Sequence, residues 1–234
     1  MGVTTTGLNK AVTSGLTSTS YPYIGVGTGS ATFVVGLTDM GTEIDADRQA
    51  VLDATGIGAM ADIRDYLTNA QGNGTLTEVG LWTASSGGTL LAYSEFVSSI
   101  VKTSSRPMLI NYIMAFKNAA VTAGLTWAGL AAARASGFTN AAFPYVATHA
   151  TALSAFTPFI EDAGTETERV ACTWGISGAA ATGSGTIVAA TSTVAALSLW
   201  SASTGGTLLG YTPYTSGVAG QHVVKFIATA SNAS

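Results

Sequence analysis

The chain has little charge. Only 9% of its 234 residues are Asp, Glu, Lys or Arg, divided into thirteen acids and nine bases for a net charge of −4, whereas an ordinary soluble domain carries about 25%. So few bases on an acidic chain exclude the clustered positive charge on which nucleic-acid affinity rests. Cysteine is nearly absent. The single Cys172 has no internal disulfide partner and cannot by itself build a structural zinc site. Long apolar runs are missing as well: no stretch approaches the ~18 uncharged apolar residues of a spanning helix, so no membrane partner is expected. The opening Met1-Gly2-Val3-Thr4 shows neither the basic nor the apolar region of a secretory leader, and none is expected. Disorder is excluded by an apolar content of 47%, ample to offset ordering entropy.

What is there instead is Gly (28 residues), Ala, Ser, Thr and Val. Thr and Val suit pleated surfaces and Gly suits turns, so many short strands are expected. Surface charge normally keeps a monomer soluble; its scarcity points to surfaces covered by other subunits, or to the Ser/Thr-rich skin of a secreted β-protein.

The chain repeats itself. Leu8-Asn9-Lys10-Ala11-Val12-Thr13-Ser14-Gly15-Leu16 is echoed from Leu130 to Phe138, Pro22-Tyr23-Ile24 by Pro144-Tyr145-Val146, and Asp39-Met40-Gly41-Thr42-Glu43 by Asp162-Ala163-Gly164-Thr165-Glu166. The strongest match sets Leu81-Trp82-Thr83-Ala84-Ser85-Ser86-Gly87-Gly88-Thr89-Leu90-Leu91 against Leu199-Trp200-Ser201-Ala202-Ser203-Thr204-Gly205-Gly206-Thr207-Leu208-Leu209. Four collinear matches indicate tandem duplication. The expected fold is all-β: two duplicated β-sandwich, jelly-roll-like domains, 1–117 and 118–234, each opened by a short helix (Leu8 to Leu16, Ala128 to Ser136). In the first copy strands are expected over Tyr23 to Gly27, Phe33 to Leu37, around Ile63 to Leu67, and from Met108 to Phe116. Leu76 to Trp82 and Thr89 to Tyr93 should form a hairpin. Val223 to Ala228 should close the second copy.

No residue set suggests catalysis. Gly56-Ile57-Gly58-Ala59-Met60-Ala61 fits a dinucleotide fingerprint in form only, since it lies in a strand pattern and opens no helix. Gly25-Val26-Gly27-Thr28-Gly29 lacks the Lys of a phosphate loop. His149 and His222 are far apart, and no nucleophile elbow supports a Ser-His-Asp site. Glu78 and Glu95 flank the first hairpin as a glycosidase pair would, but the second copy has Ala196 and Pro213 there. Cys172 reads as a buried small hydrophobe. The acidic groups Asp39, Glu43, Asp45, Asp47 and Glu161, Asp162, Glu166, Glu168 leave two readings open. They are ligands for a hard cation, or ion pairs around a turn with the adjacent Arg48 and Arg169, which is the favoured reading. Trp82 and Trp200 are expected to be equivalent core anchors, each indole N–H bonded to a turn carbonyl. No catalytic, cofactor-binding or metal-binding residue is therefore assigned, and no cofactor is expected.

Thr77-Glu78-Val79-Gly80-Leu81-Trp82 followed by Gly88-Thr89-Leu90-Leu91-Ala92 resembles a segment of tailed-bacteriophage virion proteins, including tail-collar fibre proteins and small head or tail structural proteins. The Asp39-to-Arg48 and Leu8-to-Leu16 segments are similar to such proteins too. The second copy departs at Ala196 and Ser198, where the first has Glu78 and Gly80. The resemblance implies a non-enzymatic virion component assembled in the host cytoplasm. A capsid decoration (cement) protein bound to the major capsid protein is favoured, and a tail, collar or fibre part is the alternative; a carbohydrate-binding β-sandwich module is the rival from another class. A homo-oligomer is expected, most simply a trimer.

Overall fold

The architecture is that of a computed structural model, which describes residues 2–34, 36–44, 48–57, 59–116, 124–157, 159–190, 194–214 and 220–229. It is predominantly β, with two short helices. The chain divides into two compact units. The first comprises Met1–Thr55, Ala61–Met114 and Ala230–Ser234, and the second Gly56–Met60 and Ala115–Thr229.

In the first stretch the elements are β1 (Gly2–Val3), α1 (Thr5–Ser14), β2 (Tyr23–Gly27), β3 (Gln49–Ala50), β4 (Asp53–Ile57), β5 (Met60–Leu67), β6 (Gly74–Trp82), β7 (Leu90–Lys102) and β8 (Met108–Ala115). They form a five-stranded sheet in the order β1-β7-β6-β2-β3 and a three-stranded sheet β4-β5-β8. The second stretch adds β9 (Gly124–Leu125), α2 (Trp127–Ser136), β10 (Tyr145–His149), β11 (Glu166–Ala171), β12 (Thr173–Ser177), β13 (Ala180–Ala190), β14 (Ala196–Trp200), β15 (Leu208–Pro213) and β16 (Gly220–Thr229). Its sheets run β9-β15-β14-β10-β11 and β12-β13-β16. Read from the two-residue strand that precedes each helix, the two five-stranded sheets share one order, and so do the two small ones.

Each helix is started and seated by the same device. Thr4 and Thr126 are N-caps whose Oγ1 accepts the N–H of Gly7 or Gly129, three residues on, at 3.2 Å. The same hydroxyls donate to strand carbonyls, Thr4 to Leu90 at 2.7 Å and Thr126 to Leu208 at 2.6 Å. A capping side chain of this kind contributes about 1 kcal/mol. Gly7 and Gly129 carry no Cβ because one would fall on the carbonyl oxygen of Leu91 or Leu209. Gly15 and Gly137, at φ 75° and 66°, end the helices in the left-handed region that only glycine enters freely.

Alternation buries one face of β5 and of β8. On β5 Ala61, Ile63, Asp65 and Leu67 point inward, and on β8 Ile110, Tyr112 and Met114 do so. In the second unit β13 lies against β10 and β11. A Cβ on Gly185 would stand 2.5 Å from Val146 and 2.8 Å from Val170, so the small sheet approaches the large one at a glycine.

Three expectations need correcting. The first helix starts at Thr5 and ends at Ser14, because Thr4 provides the cap and Gly15 the stop. Phe33 to Leu37 is not a strand among its described residues. Phe33 and Leu37 instead fold over the sheet and pack on Met40, Trp82, Leu90 and Tyr93. Phe33 lies directly over Gly2, where any Cβ would collide with the ring. The third concerns the tryptophan N–H groups and is taken up with the site.

Candidate functional site

Several of the residues singled out by sequence, among them Glu43, Glu78, Trp82, Glu166 and Trp200, fall in the two copies of one cross-strand region. On β6 the alternation sets Glu78, Gly80 and Trp82 on one face, opposite Gly27, Gly25 and Tyr23 of β2. Glu78 is completely buried. Its Oε1 accepts from the N–H of Gly29 (3.1 Å) and Thr42 (2.7 Å), and its Oε2 from Gly41 N–H (2.9 Å) and Tyr93 Oη (3.0 Å). Four donors on one carboxylate compensate its desolvation. Glu95 lies directly across from Glu78 on β7 and accepts from Ser30 Oγ at 2.6 Å. The Tyr93 hydroxyl sits between the two acids, 3.3 Å from Glu95, and accepts the Ala31 N–H at 2.8 Å. Burial, together with Glu78 and Glu95, pushes its pKa up. The carboxylates are thus brought together, but Glu78 holds Gly29, Gly41 and Thr42 against the sheet, and both of its oxygens are taken up in hydrogen bonds.

Below this hub lies a clasp. Arg48 makes a two-pronged ion pair with Glu43, Nε to Oε1 at 2.8 Å and Nη2 to Oε2 at 3.0 Å. Its guanidinium lies 3.3 Å from the centroid of the Trp82 ring, and its Nη1 donates to the carbonyls of Ala84 and Gly87 at the hairpin tip. The second unit repeats every part. Arg169 pairs with Glu166, lies 4.1 Å over Trp200, and donates to the carbonyls of Ala202 and Gly205 at 2.6 and 2.7 Å. Planar, forked guanidinium chemistry suits all three contacts at once. Gly87 and Gly205, at φ 58° and 60°, shape both tips. Glu43 and Glu166 are therefore ion-paired around a turn. Asp45 and Asp47 lie outside the described residues. Among the described residues no three His, Cys, Asp or Glu converge as metal ligands.

The tryptophans are buried at 2% and 7% exposure, in equivalent register opposite Tyr23 and Tyr145. Neither N–H reaches a turn carbonyl. Trp82 Nε1 has no hydrogen-bond partner, and Trp200 Nε1 donates to Ser198 Oγ at 2.7 Å. The arginine occupies the turn carbonyls that the indoles were expected to use.

Sequence reasoning missed one pairing. His149 Nε2 lies 2.7 Å from Ser198 Oγ, both side chains being completely buried. The signal was available in the register: His149 faces Ala196, and Ala147 faces Ser198, where the first copy has Gly27 facing Glu78 and Gly25 facing Gly80. A Cβ on Gly27 would lie 2.5 Å from the Glu78 carboxylate. The large polar side chain has changed strands, from β6 in one unit to β10 in the other, and filled the same kind of space. Burial pushes the His149 pKa down against the opposing pull of Glu166, the Thr165 backbone and Asp162. The serine–histidine pair is sealed from solvent.

The remaining candidates are apart from this region. His222 lies on β16, its side chain outside those described. Cys172 is buried, and burial pushes its thiol up to about 11, which removes the thiolate that reactivity needs. Of the Gly56-to-Ala61 segment, Gly56 and Ile57 end β4 and Met60 and Ala61 begin β5, while Gly58 lies outside the described residues. An open depression of about 350 Å³ is lined by Val170, Ala171, Thr173, Ser184, Gly185 and Thr186, with no ionisable side chain. Exposed apolar side chains are more prominent: Leu109, Ile113 and Tyr66 in the first unit, and in the second Trp127, stacked on Phe159 with 6.1 Å between centroids. No helix among the described residues is long and apolar enough to cross a membrane.

No family model, curated protein or solved structure matches this chain.

Proposed function

We propose that this chain is a non-enzymatic structural protein of a tailed-bacteriophage virion, and within it a decoration protein of the head shell. In this reading each unit is a β-sandwich of a five-stranded and a three-stranded sheet, and the two descend from one duplicated ancestor. One observation carries it. The conspicuous polar residues of both units (Glu78, Arg48 with Glu43, Arg169 with Glu166) are consumed in holding loops and hairpin tips rigid, while apolar strand residues such as Leu109 and Ile113 face outward. That is the division of labour of a scaffold whose partners are protein surfaces, here the major capsid protein and copies of itself. The exposed Trp127–Phe159 stack favours the second reading, a carbohydrate-binding module, because an aromatic face packs well on sugar C–H groups.

The test uses particles assembled without this protein. They should rupture at a lower temperature than complete particles, and antibody against the chain should decorate the head. Attachment should also survive ~0.5 M salt, since screening at that strength acts on charged contacts, and this chain has few. Unchanged rupture with labelling at the tail would move the protein to the tail or collar; binding of isolated chain to host glycan, lost in Trp127→Ala, would favour the second reading.

A further inference from the structure

Among the described residues strand β8 is an edge of the three-stranded sheet β4-β5-β8, and it is the longest edge strand with neither charge nor proline. Proteins protect long edge strands with charge, proline or shortness. The edges β1, β3 and β9 are two residues long, β4 carries Asp53, β11 carries Glu166, Glu168 and Arg169, β16 carries Lys225, and the uncharged β12 is only five residues long. Over eight residues β8, Met-Leu-Ile-Asn-Tyr-Ile-Met-Ala, has no charge and no proline. Its outward side chains Leu109 and Ile113 are 53% and 51% exposed, and Asn111 between them is exposed too.

The strand also reads alike in both directions. About Asn111, Ile110 mirrors Tyr112, Leu109 mirrors Ile113, and Met108 mirrors Met114. We infer that β8 pairs antiparallel with β8 of a second copy of this chain, about a two-fold axis through Asn111. In that register Leu109 of each copy meets Ile113 of the other on the outer face, and Ile110 meets Tyr112 on the inner, so both apolar sets continue across the junction. Two Asn111 side chains face each other on the axis, where an amide pair satisfies its own donors and acceptors. A shift of two residues would set each Asn111 against Leu109 or Ile113. A shift of one would put buried side chains on the exposed face, which the period of two forbids. Such a contact is isologous and closes at two copies, and it replaces the expected trimer by a two-fold pair. The inference rests on the proposed self-association and is independent of which part of the virion the chain occupies.

The experiment combines sedimentation of the full chain over a concentration series with cysteine cross-linking. The chain should sediment as a dimer, and Ile113→Lys should weaken pairing by at least about tenfold, because symmetry applies each substitution twice. Under mild oxidation Asn111→Cys should form a disulfide-linked dimer, since residues facing each other across antiparallel strands stand ~4.5–5.5 Å apart. Leu109→Cys, equally exposed but remote from its own symmetry mate, should not. Native Cys172 is buried and sets the background. An oligomer indifferent to Ile113→Lys, or cross-linking as efficient through Leu109→Cys as through Asn111→Cys, overturns the β8 pairing and leaves self-association standing. A chain monomeric throughout overturns both.

Discussion

Glu78 places its carboxyl group where water does not reach, and three backbone N–H groups and one hydroxyl satisfy its oxygens there. Removing the carboxylate would orphan donors from Gly29, Gly41 and Thr42 at once. Each buried unsatisfied group costs ~1–3 kcal/mol, so Glu78→Ala should lower the stability of the first unit by about 3–5 kcal/mol. Denaturant unfolding followed by a signal from Trp82 would measure it. None of this was legible in the sequence, because the partners are main-chain amides that any residue supplies. The ion pairs of Arg48 and Arg169 were legible, because acid and base are neighbours in the chain and recur together, but the reach of each arginine to a tryptophan face and to the hairpin-tip carbonyls was not. Asp65 presents the opposite case to Glu78. It is 5% exposed on the inner face of β5, its Oδ2 has no partner, and burial pushes its pKa up. A folded-state pKa above the unfolded value of about 3.9 means a stability contribution that is full below that value and is lost as pH rises through the folded one. Asp65→Asn should therefore stabilise the protein at neutral pH, with the gain vanishing in acid, and parallel melting curves at the two pH values would show it.

Among the elements, the helices show how local rules and packing compete. Alanine is the better helix former by about 1 kcal/mol, so Gly129→Ala looks favourable on propensity. The Cβ would fall on the Leu209 carbonyl oxygen, a backbone atom that cannot turn aside, and overpacking of that sort costs ~1–3 kcal/mol. Packing wins, and Gly129→Ala should melt at a lower temperature than the native chain. The Thr-x-x-Gly spacing that starts each helix was present in the sequence, at Thr4 and Gly7 and at Thr126 and Gly129, but apolar periodicity alone began the first helix too late. The hairpin of β6 and β7 was readable from its glycine tip and alternation. Phe33 to Leu37 was misread because apolar residues that cover an open sheet end and those that form a strand have the same composition.

At the scale of the whole chain, repetition was the most legible property, and the structure gives the repeated segments physical meaning. Those retained are the helix seat, the tyrosine that faces the tryptophan, and the clasped hairpin tip; those that diverged are the hub, where Gly27 and Glu78 correspond to His149 and Ala196. The divergence is paired, since a large side chain on one strand requires a small one opposite. It was visible as two separate mismatches, and only the strand register joins them. The clasps have an optical consequence. The four indoles occupy four surroundings: Trp82 under a guanidinium with its N–H unpartnered, Trp200 under a guanidinium with its N–H on a hydroxyl, Trp174 half-buried and bonded to the Phe143 carbonyl, and Trp127 open to solvent. The first unit emits through one indole and the second through three. A collisional quencher has ready access to Trp127, so the light left after quenching comes chiefly from the three more buried rings, and a red shift in it marks water arriving at one of them, which for Trp82 and Trp200 means beneath an arginine.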